Sequence, residues 1–117
     1  MTRDLDIISS ALIFEGLPEQ HLEQIEDVSV SKNYPKGEMI FMEQDEGNGF
    51  YLVAEGLVKI FKVSPSGKEQ ILHVFGPGEP FGEVPVFSGR RFPANAEAIR
   101  KSRLLFFPRT AFLGLIT

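Results

Sequence analysis

"YPKGEMIFMEQDEGNGFYLVAEGLVKIF", Tyr34–Phe61, is the stretch whose reading decides the fold. Turn-forming groups cut it at Pro35-Lys36-Gly37, at Glu46-Gly47-Asn48-Gly49 and at Glu55-Gly56. Short apolar runs stand around them: Met39–Met42, Phe50–Val53 and Leu57–Val63. The rhythm continues downstream. Turns at Ser64-Pro65-Ser66-Gly67, Gly76-Pro77-Gly78 and Ser88-Gly89 flank the runs Gln70–Phe75, Ala96–Ile99 and Leu104–Phe107. Strands separated by turn signals roughly every 8–12 residues predict an all-β barrel or sandwich. Within Leu57–Val63, Ile60 falls on one face and Lys59 and Phe61 on the other, so both faces are partly apolar.

Both ends read differently. Leu5, Ile8, Leu12 and Ile13 recur at helical spacing, and Gly16 breaks the pattern. Leu17-Pro18-Glu19 opens a second helix, with Pro18 where its missing N–H costs nothing. Leu22 and Ile25 share one face of it, and His21 is read as a surface residue. This helical pair is short and one-sided, so it must pack on something else. At the other end Pro108-Arg109-Thr110 closes the last strand, with Thr110 as N-cap of the helix begun by "AFLGLIT". That helix stops at its first apolar turns without a partner, which reads as a piece of a longer protein. The expectation is a mainly β protein with flanking helices: helices over 1–27, a β-roll over 28–107 and a helical start over 108–117.

Composition bounds the function. The chain has 117 residues, enough for one domain, and is 43% hydrophobic with 11 Phe, so it can build a packed core. Most of these rings, Phe41, Phe50, Phe61, Phe75, Phe87, Phe106 and Phe107 among them, are read as core, with Phe81 and Phe92 at the mouth of a pocket. The net charge of −4 argues against a nucleic-acid-binding face on this piece. Without cysteine, disulfides, Cys-ligated iron–sulfur clusters and thiol catalysis are excluded. The N-terminus carries Asp4 and Asp6 and no long apolar run, so it is neither a signal peptide nor a membrane span. The expectation is a cytoplasmic protein. No Ser-His-Asp set, P-loop or dinucleotide fingerprint occurs, and no catalytic residue and no metal site is expected. Glu43, Asp45 and Glu46 read as a solvated acidic turn rather than a calcium loop.

Four stretches in order, "LPEQHLEQI", the quoted Tyr34–Phe61, "SGKEQILHVFGPGEPFGE" and "LLFFPRTAF", resemble the effector domain of the CRP/FNR family of bacterial transcription regulators. That domain belongs to the wider cyclic-nucleotide-binding domains. The resemblance runs from about Leu12 to Leu115. It implies an antiparallel double-stranded β-helix, a jelly-roll-like β-roll, forming one sensor domain over 1–117. The implied function is to sense a small effector and transmit its occupancy to a helix-turn-helix outside this chain. DNA and RNA polymerase are then partners of the full-length homodimer only, with no membrane partner. Alternatives are a cyclic-nucleotide module of a kinase, channel or transporter and, remotely, a cupin-like enzyme. A cupin needs an H-x-H pair with further ligands, and this chain has two distant histidines.

The site implied by resemblance lies in "FGEVPVFSGRRFPANAEA", residues 81–98, and in the strands facing it. Glu83 would accept a ribose hydroxyl. The backbone of Gly82–Val84 would approach the ligand, with Gly82 leaving room and Pro85 early in a short helix. Ile60, Leu72 and His73 would line the interior, with Phe81, Phe92, Pro93, Ala94 and Asn95 completing the pocket. The family's cyclic-nucleotide binders place an Arg followed by Ser or Thr where this chain has Phe92-Pro93. A buried phosphate without that Arg keeps an uncompensated charge, so a cyclic nucleotide is disfavoured and the cofactor is left unknown. Arg90 and Arg91 could supply a guanidinium from a shifted loop; the alternative is that both are solvated. Haem is disfavoured because Val84 stands where haem-sensing relatives use a His, leaving His73 as the remaining axial candidate.

Overall fold

The computed structural model describes residues 3–83 and 90–116, so the readings placed on Val84, Pro85, Phe87 and Ser88-Gly89 lie outside the described residues. Helix α1 (Arg3–Ser10) and a 3-10 turn (Leu12–Phe14) precede helix α2 (Glu19–Val28). Eight strands follow: β1 (Val30–Tyr34), β2 (Met39–Phe41), β3 (Gly49–Glu55), β4 (Val58–Val63), β5 (Glu69–Phe75), β6 (Pro80–Phe81), β7 (Asn95–Ala98) and β8 (Ser102–Pro108). Helix α3 (Arg109–Ile116) leaves directly from β8. The strands form two antiparallel four-stranded sheets, β1-β8-β3-β6 and β2-β7-β4-β5. This is the expected β-roll with helices at both ends. No helix among the described residues is long and apolar enough to cross a membrane.

Two cores share the first sheet. Phe50, Leu52 and Ala54 of β3, with Leu105 and Phe107 of β8, meet Ile8, Phe14, Leu22, Ile25 and Phe112 from the helices. The alternate residues, Tyr51 and Val53 of β3 and Leu104 of β8, meet Val58, Ala96 and Ala98 of the second sheet. Successive strand residues point to opposite faces, so a strand covered on both sides must be apolar throughout. That is why "FYLVA" and "LLFF" run without interruption. The α3 turn also finds a partner, against expectation: Phe112 is buried, its ring 5.0 Å from Phe50 and nearly perpendicular to it.

Several boundaries differ from the reading. Helix α2 continues through Val28, and the first strand begins at Val30. Leu12, placed on the helical apolar face, is 79% exposed because α1 ends at Ser10 and the chain tightens into the 3-10 turn. Thr110 lies inside α3 rather than capping it, since the helix begins at Arg109, whose N–H donates to the Asn48 carbonyl at 2.7 Å. Pro18 is the N-cap of α2, and its carbonyl accepts from the N–H groups of His21 and Leu22.

One close approach shapes the turn between the sheets. Gly56 sits at φ +102°, and a Cβ there would lie 2.6 Å from the Ser102 Cβ and 2.7 Å from its Cα. Ser102 is buried; its Oγ donates to the Arg100 carbonyl at 2.8 Å and accepts the Leu57 N–H at 3.2 Å. Gly56→Ala combines a left-handed backbone with a backbone-backed clash and should destabilise by about 2–5 kcal/mol. Gly67→Ala meets no atom within 4 Å and, at φ +86°, keeps only the backbone cost, about 1–2 kcal/mol. Urea unfolding of both variants checks the difference; equal losses would mean that the contact with Ser102 contributes nothing.

Candidate functional site

The end of β6 turns sharply at Gly82, φ +77°. A Cβ at Gly82 would stand 3.1 Å from the Phe92 ring and 3.4 Å from the Phe41 ring. Those two rings stack face to face, centroids 3.7 Å apart and planes 5° apart. Phe81 lies 6.1 Å from Phe41, 5.2 Å from Tyr51 and 5.6 Å from Phe75. A cavity of about 180 Å³ opens among Phe41, Phe75, Phe81 and Phe92, closed further by Ile60, Pro93 and Ala94 and by Gly82 and Glu83. Among the described residues, Glu83 is the single charged one in its wall and no cation lines it. Phe81 and Phe92, read at the mouth, are instead buried, at 1% and 3% exposure.

Of the expected pocket residues, the structure brings together Ile60, Phe81, Gly82, Glu83, Phe92, Pro93 and Ala94. Leu72, His73 and Asn95 do not line this cavity, and Val84 lies outside the described residues. The ladder between β4 and β5 pairs Ile60 with His73 but Phe61 with Ile71, so Leu72 is an extra residue and stands 50% exposed. His73 is exposed on the same edge strand, its ring 4.2 Å from that of Phe75. Asn95 is buried for a structural reason. Its Oδ1 accepts the Glu43 N–H at 2.8 Å and its Nδ2 donates to the Phe61 carbonyl at 3.4 Å. Phe41 and Phe75 were read as plain core; the spacing carries no signal that their rings also face a void.

Arg90 and Arg91 are elsewhere. The Phe92 N–H donates to the Asp45 carbonyl at 2.9 Å, and the Gln44 N–H to the Phe92 carbonyl at 2.8 Å. This pairing fixes Phe92 inward, and the preceding side chain takes the opposite side. Arg91 accordingly donates from Nη1 to the Gln44 carbonyl at 3.0 Å and approaches Glu46 at 3.8 Å. Arg90 and Arg91 line a different cavity, with Arg109. The acidic turn does not converge either. Glu43 faces Lys62 at 3.4 Å, and Asp45 accepts the Met42 N–H at 2.9 Å. Among the described residues no group of three His, Cys, Asp or Glu side chains is arranged to hold a metal ion.

Behind the aromatic wall, Tyr34 and Tyr51 are buried in the same core, and each phenol bears on the ionisation of the other. Burial raises the Tyr51 phenol well above its ordinary range, and the neighbouring Tyr34 and Asp45 add to the rise. Burial also raises Tyr34, with Glu38 adding to it and the neighbouring Tyr51 phenol opposing.

The family model for the cyclic nucleotide-binding domain matches residues 31–117. The chain is 35% identical over 104 residues to the cyclic AMP receptor protein of Thermus thermophilus, covering 89% of this chain and 48% of that protein. It is 28% identical over 111 residues to a CRP-like cAMP-activated global transcriptional regulator of Mycobacterium tuberculosis, covering 95% and 50%. The crystal structure of the sensor domain of the transcriptional regulator DNR from Pseudomonas aeruginosa superposes with a TM-score of 0.87 at 29% identity, covering 97% of this chain and 76% of that one. The chain spans about half the length of the curated relatives it matches.

Tyr34 and Tyr51 are the two tyrosines of the chain, so ultraviolet titration of tyrosinate reports on this pair alone. In urea they should ionise near the ordinary value of about 10. In the folded protein ionisation should be displaced to higher pH. Between those limits the unfolded chain has lost protons that the folded chain keeps, so stability is full below about pH 10 and falls as pH rises beyond it. Coincident titrations in water and urea would contradict the burial of the pair.

Proposed function

The chain belongs to the cyclic nucleotide-binding domain family, and from that premise we propose that it is the effector-sensing part of a bacterial CRP/FNR-type transcription regulator. One observation carries the reading of the site: a β-roll cavity beside the Gly82 turn, walled by aromatic rings, with one carboxylate and no cation among the described residues. The effector enters next to Glu83, which accepts a hydroxyl or amine hydrogen from it. The contact set runs from Ile60 and Phe81–Glu83 to Phe92–Ala94, with Phe41 and Phe75 added. Occupancy passes through α3 to a helix-turn-helix outside this chain, and the full-length cytoplasmic homodimer meets DNA and RNA polymerase. Residues 1–117 serve as one regulatory unit without catalysis.

The chemistry of the wall disfavours a cyclic nucleotide. A buried phosphate needs a cation. The cavity of about 180 Å³ is also smaller than the roughly 300–1,000 Å³ of drug-sized ligand sites. A compact, largely apolar effector with a hydrogen-bond donor fits these walls.

With Phe92-Pro93 in place of Arg and Ser or Thr, the phosphate end lacks one charge-assisted pair, roughly 1.5–3 kcal/mol. At about 1.4 kcal/mol per decade, cyclic AMP should bind about tenfold to hundredfold more weakly than to an Arg-bearing relative. Titration calorimetry on the parent and on Phe92→Arg/Pro93→Ser checks this, the double variant binding more tightly. Tight binding by the parent that Arg90→Ala or Arg91→Ala abolishes would overturn the reading.

A further inference from the structure

The cavity beside Glu83 has a larger neighbour. A second cavity, of about 540 Å³, meets it at Phe41 and Phe92. Among the described residues these two are the only ones that line both. The compartments differ in chemistry. The small one is apolar apart from the Glu83 carboxylate, whereas Lys32, Asp45, Glu46 and Arg91 put four charged groups into the wall of the large one. The rings at the junction are the stacked pair, 3.7 Å between centroids and 5° between planes. Carbon atoms at about that separation are in van der Waals contact, so the stack leaves no passage between its two faces.

The pair is held from several sides. Phe41 packs against Tyr51 and Phe81, centroids 5.9 and 6.1 Å away. The Gly82 turn closes another side, since even a methyl there would come within 3.1 Å of the Phe92 ring and 3.4 Å of the Phe41 ring. Gln44 holds Phe92 from the main chain. It stands at φ +77°, the one non-glycine residue at positive φ among the described residues. That conformation costs an L-residue energy and persists only where the surroundings impose it. The Gln44 N–H donates to the Phe92 carbonyl at 2.8 Å, and its own carbonyl accepts from Arg91 Nη1 at 3.0 Å. The strained residue is therefore the one that seats Phe92 inward and draws Arg91 away from it.

We infer, resting on the reading of the small cavity as the effector site, that the Phe41–Phe92 stack is a partition limiting the effector to about one ring in size. Phe92, seated by Gln44, is the side chain on which that limit depends. Apolar cavities of about 150 Å³ take up benzene, and the cavity of about 180 Å³ is of that order. A two-ring molecule needs volume from the neighbouring compartment, and the stack denies it. Without the Phe92 ring the small cavity joins one that already lies within the roughly 300–1,000 Å³ of drug-sized sites. By the same placement the rings keep the four charged groups of the large compartment out of the effector's reach.

The test is an amide NMR titration of the full chain with two probes that carry the same donor, benzyl alcohol and 2-naphthalenemethanol. In the parent, benzyl alcohol should saturate with shifts at Gly82 and Ala94, and the two-ring alcohol should bind at least about tenfold more weakly, the scale on which tight apolar sites reject added carbon. Phe92→Ala should reverse that order, and the two-ring shifts should extend to Asn48 and Gly49 in the wall of the large cavity. Phe92→Leu, a milder change, should move the ratio the same way if the alanine variant fails to fold. Phe106→Leu widens the large cavity alone and should leave the exclusion in place. Equal affinity of the parent for both alcohols, no gain in Phe92→Ala or Phe92→Leu, or admission of the two-ring alcohol by Phe106→Leu would overturn the partition and leave the effector cavity standing. Failure of both alcohols to shift Gly82 and Ala94 in the parent and in every variant would overturn the effector-cavity reading, and the inference with it.

Discussion

Strand β3 has no side left for water, and the arrangement of every other element answers to that. Phe50, Leu52 and Ala54 need a cover on one face, and Tyr51 and Val53 need one on the other. Helices α1, α2 and α3 supply the first cover and the second sheet supplies the other. Burying each large side chain contributes about 1.5–3 kcal/mol, so neither cover could be dropped without losing much of the margin by which a small domain is stable. Arg103 of β8 fastens the helical cover, pairing with Asp4 of α1 at 3.0 Å and with Glu55 at the end of β3 at 3.1 Å.

At the cavity a change of charge and a change of shape arrive in the same residue. Phe92 removes the cation that a buried phosphate would need, and its ring occupies volume by stacking on Phe41. Gly82 keeps its purpose under the altered chemistry, because a side chain there would press on the Phe92 ring rather than on a ligand. The wall is therefore consistent in its parts: apolar, close-packed and negative at one point. Arginine stands immediately before Phe92 in the sequence, yet the pairing of Phe92 with Gln44 and Asp45 turns the Arg91 side chain toward Glu46.

Much of the roll was legible because its turns are chemically marked. The runs at Met39, Phe50, Leu57, Gln70, Ala96 and Leu104 all became strands. Strand β1 was missed because "VSKNY" buries only its last residue, so it carries neither an apolar run nor a clean alternation. Strand β6 was missed because two residues hold no period at all. The seven pocket residues around the cavity came from resemblance, whereas Phe41 and Phe75 looked like ordinary core. Leu72 was misplaced by a bulge between β4 and β5, a register shift that leaves no compositional trace, whereas His73 pairs with Ile60 but stands exposed on the edge strand. Asn95 was misplaced because a buried amide serving backbone groups looks, in sequence, the same as one serving a ligand.

Strand β1 pairs along its whole length with β8, Val30 opposite Phe106 and Tyr34 opposite Ser102. Strands β4 and β5, by contrast, are joined through a short turn in which the Ser64 N–H donates to the Lys68 carbonyl at 2.8 Å. The two pairings differ greatly in how much chain must be brought together before any contact forms, and loop closure of that kind slows folding. On a ribosome the β4–β5 hairpin can close as soon as it emerges. Strand β1 must wait, without a hydrogen-bonded neighbour, until β8 has been synthesised. Over the same interval the aromatic faces of β3 that β8 and α3 will cover stay open to solvent and to other nascent chains, the stage at which such surfaces call for chaperones.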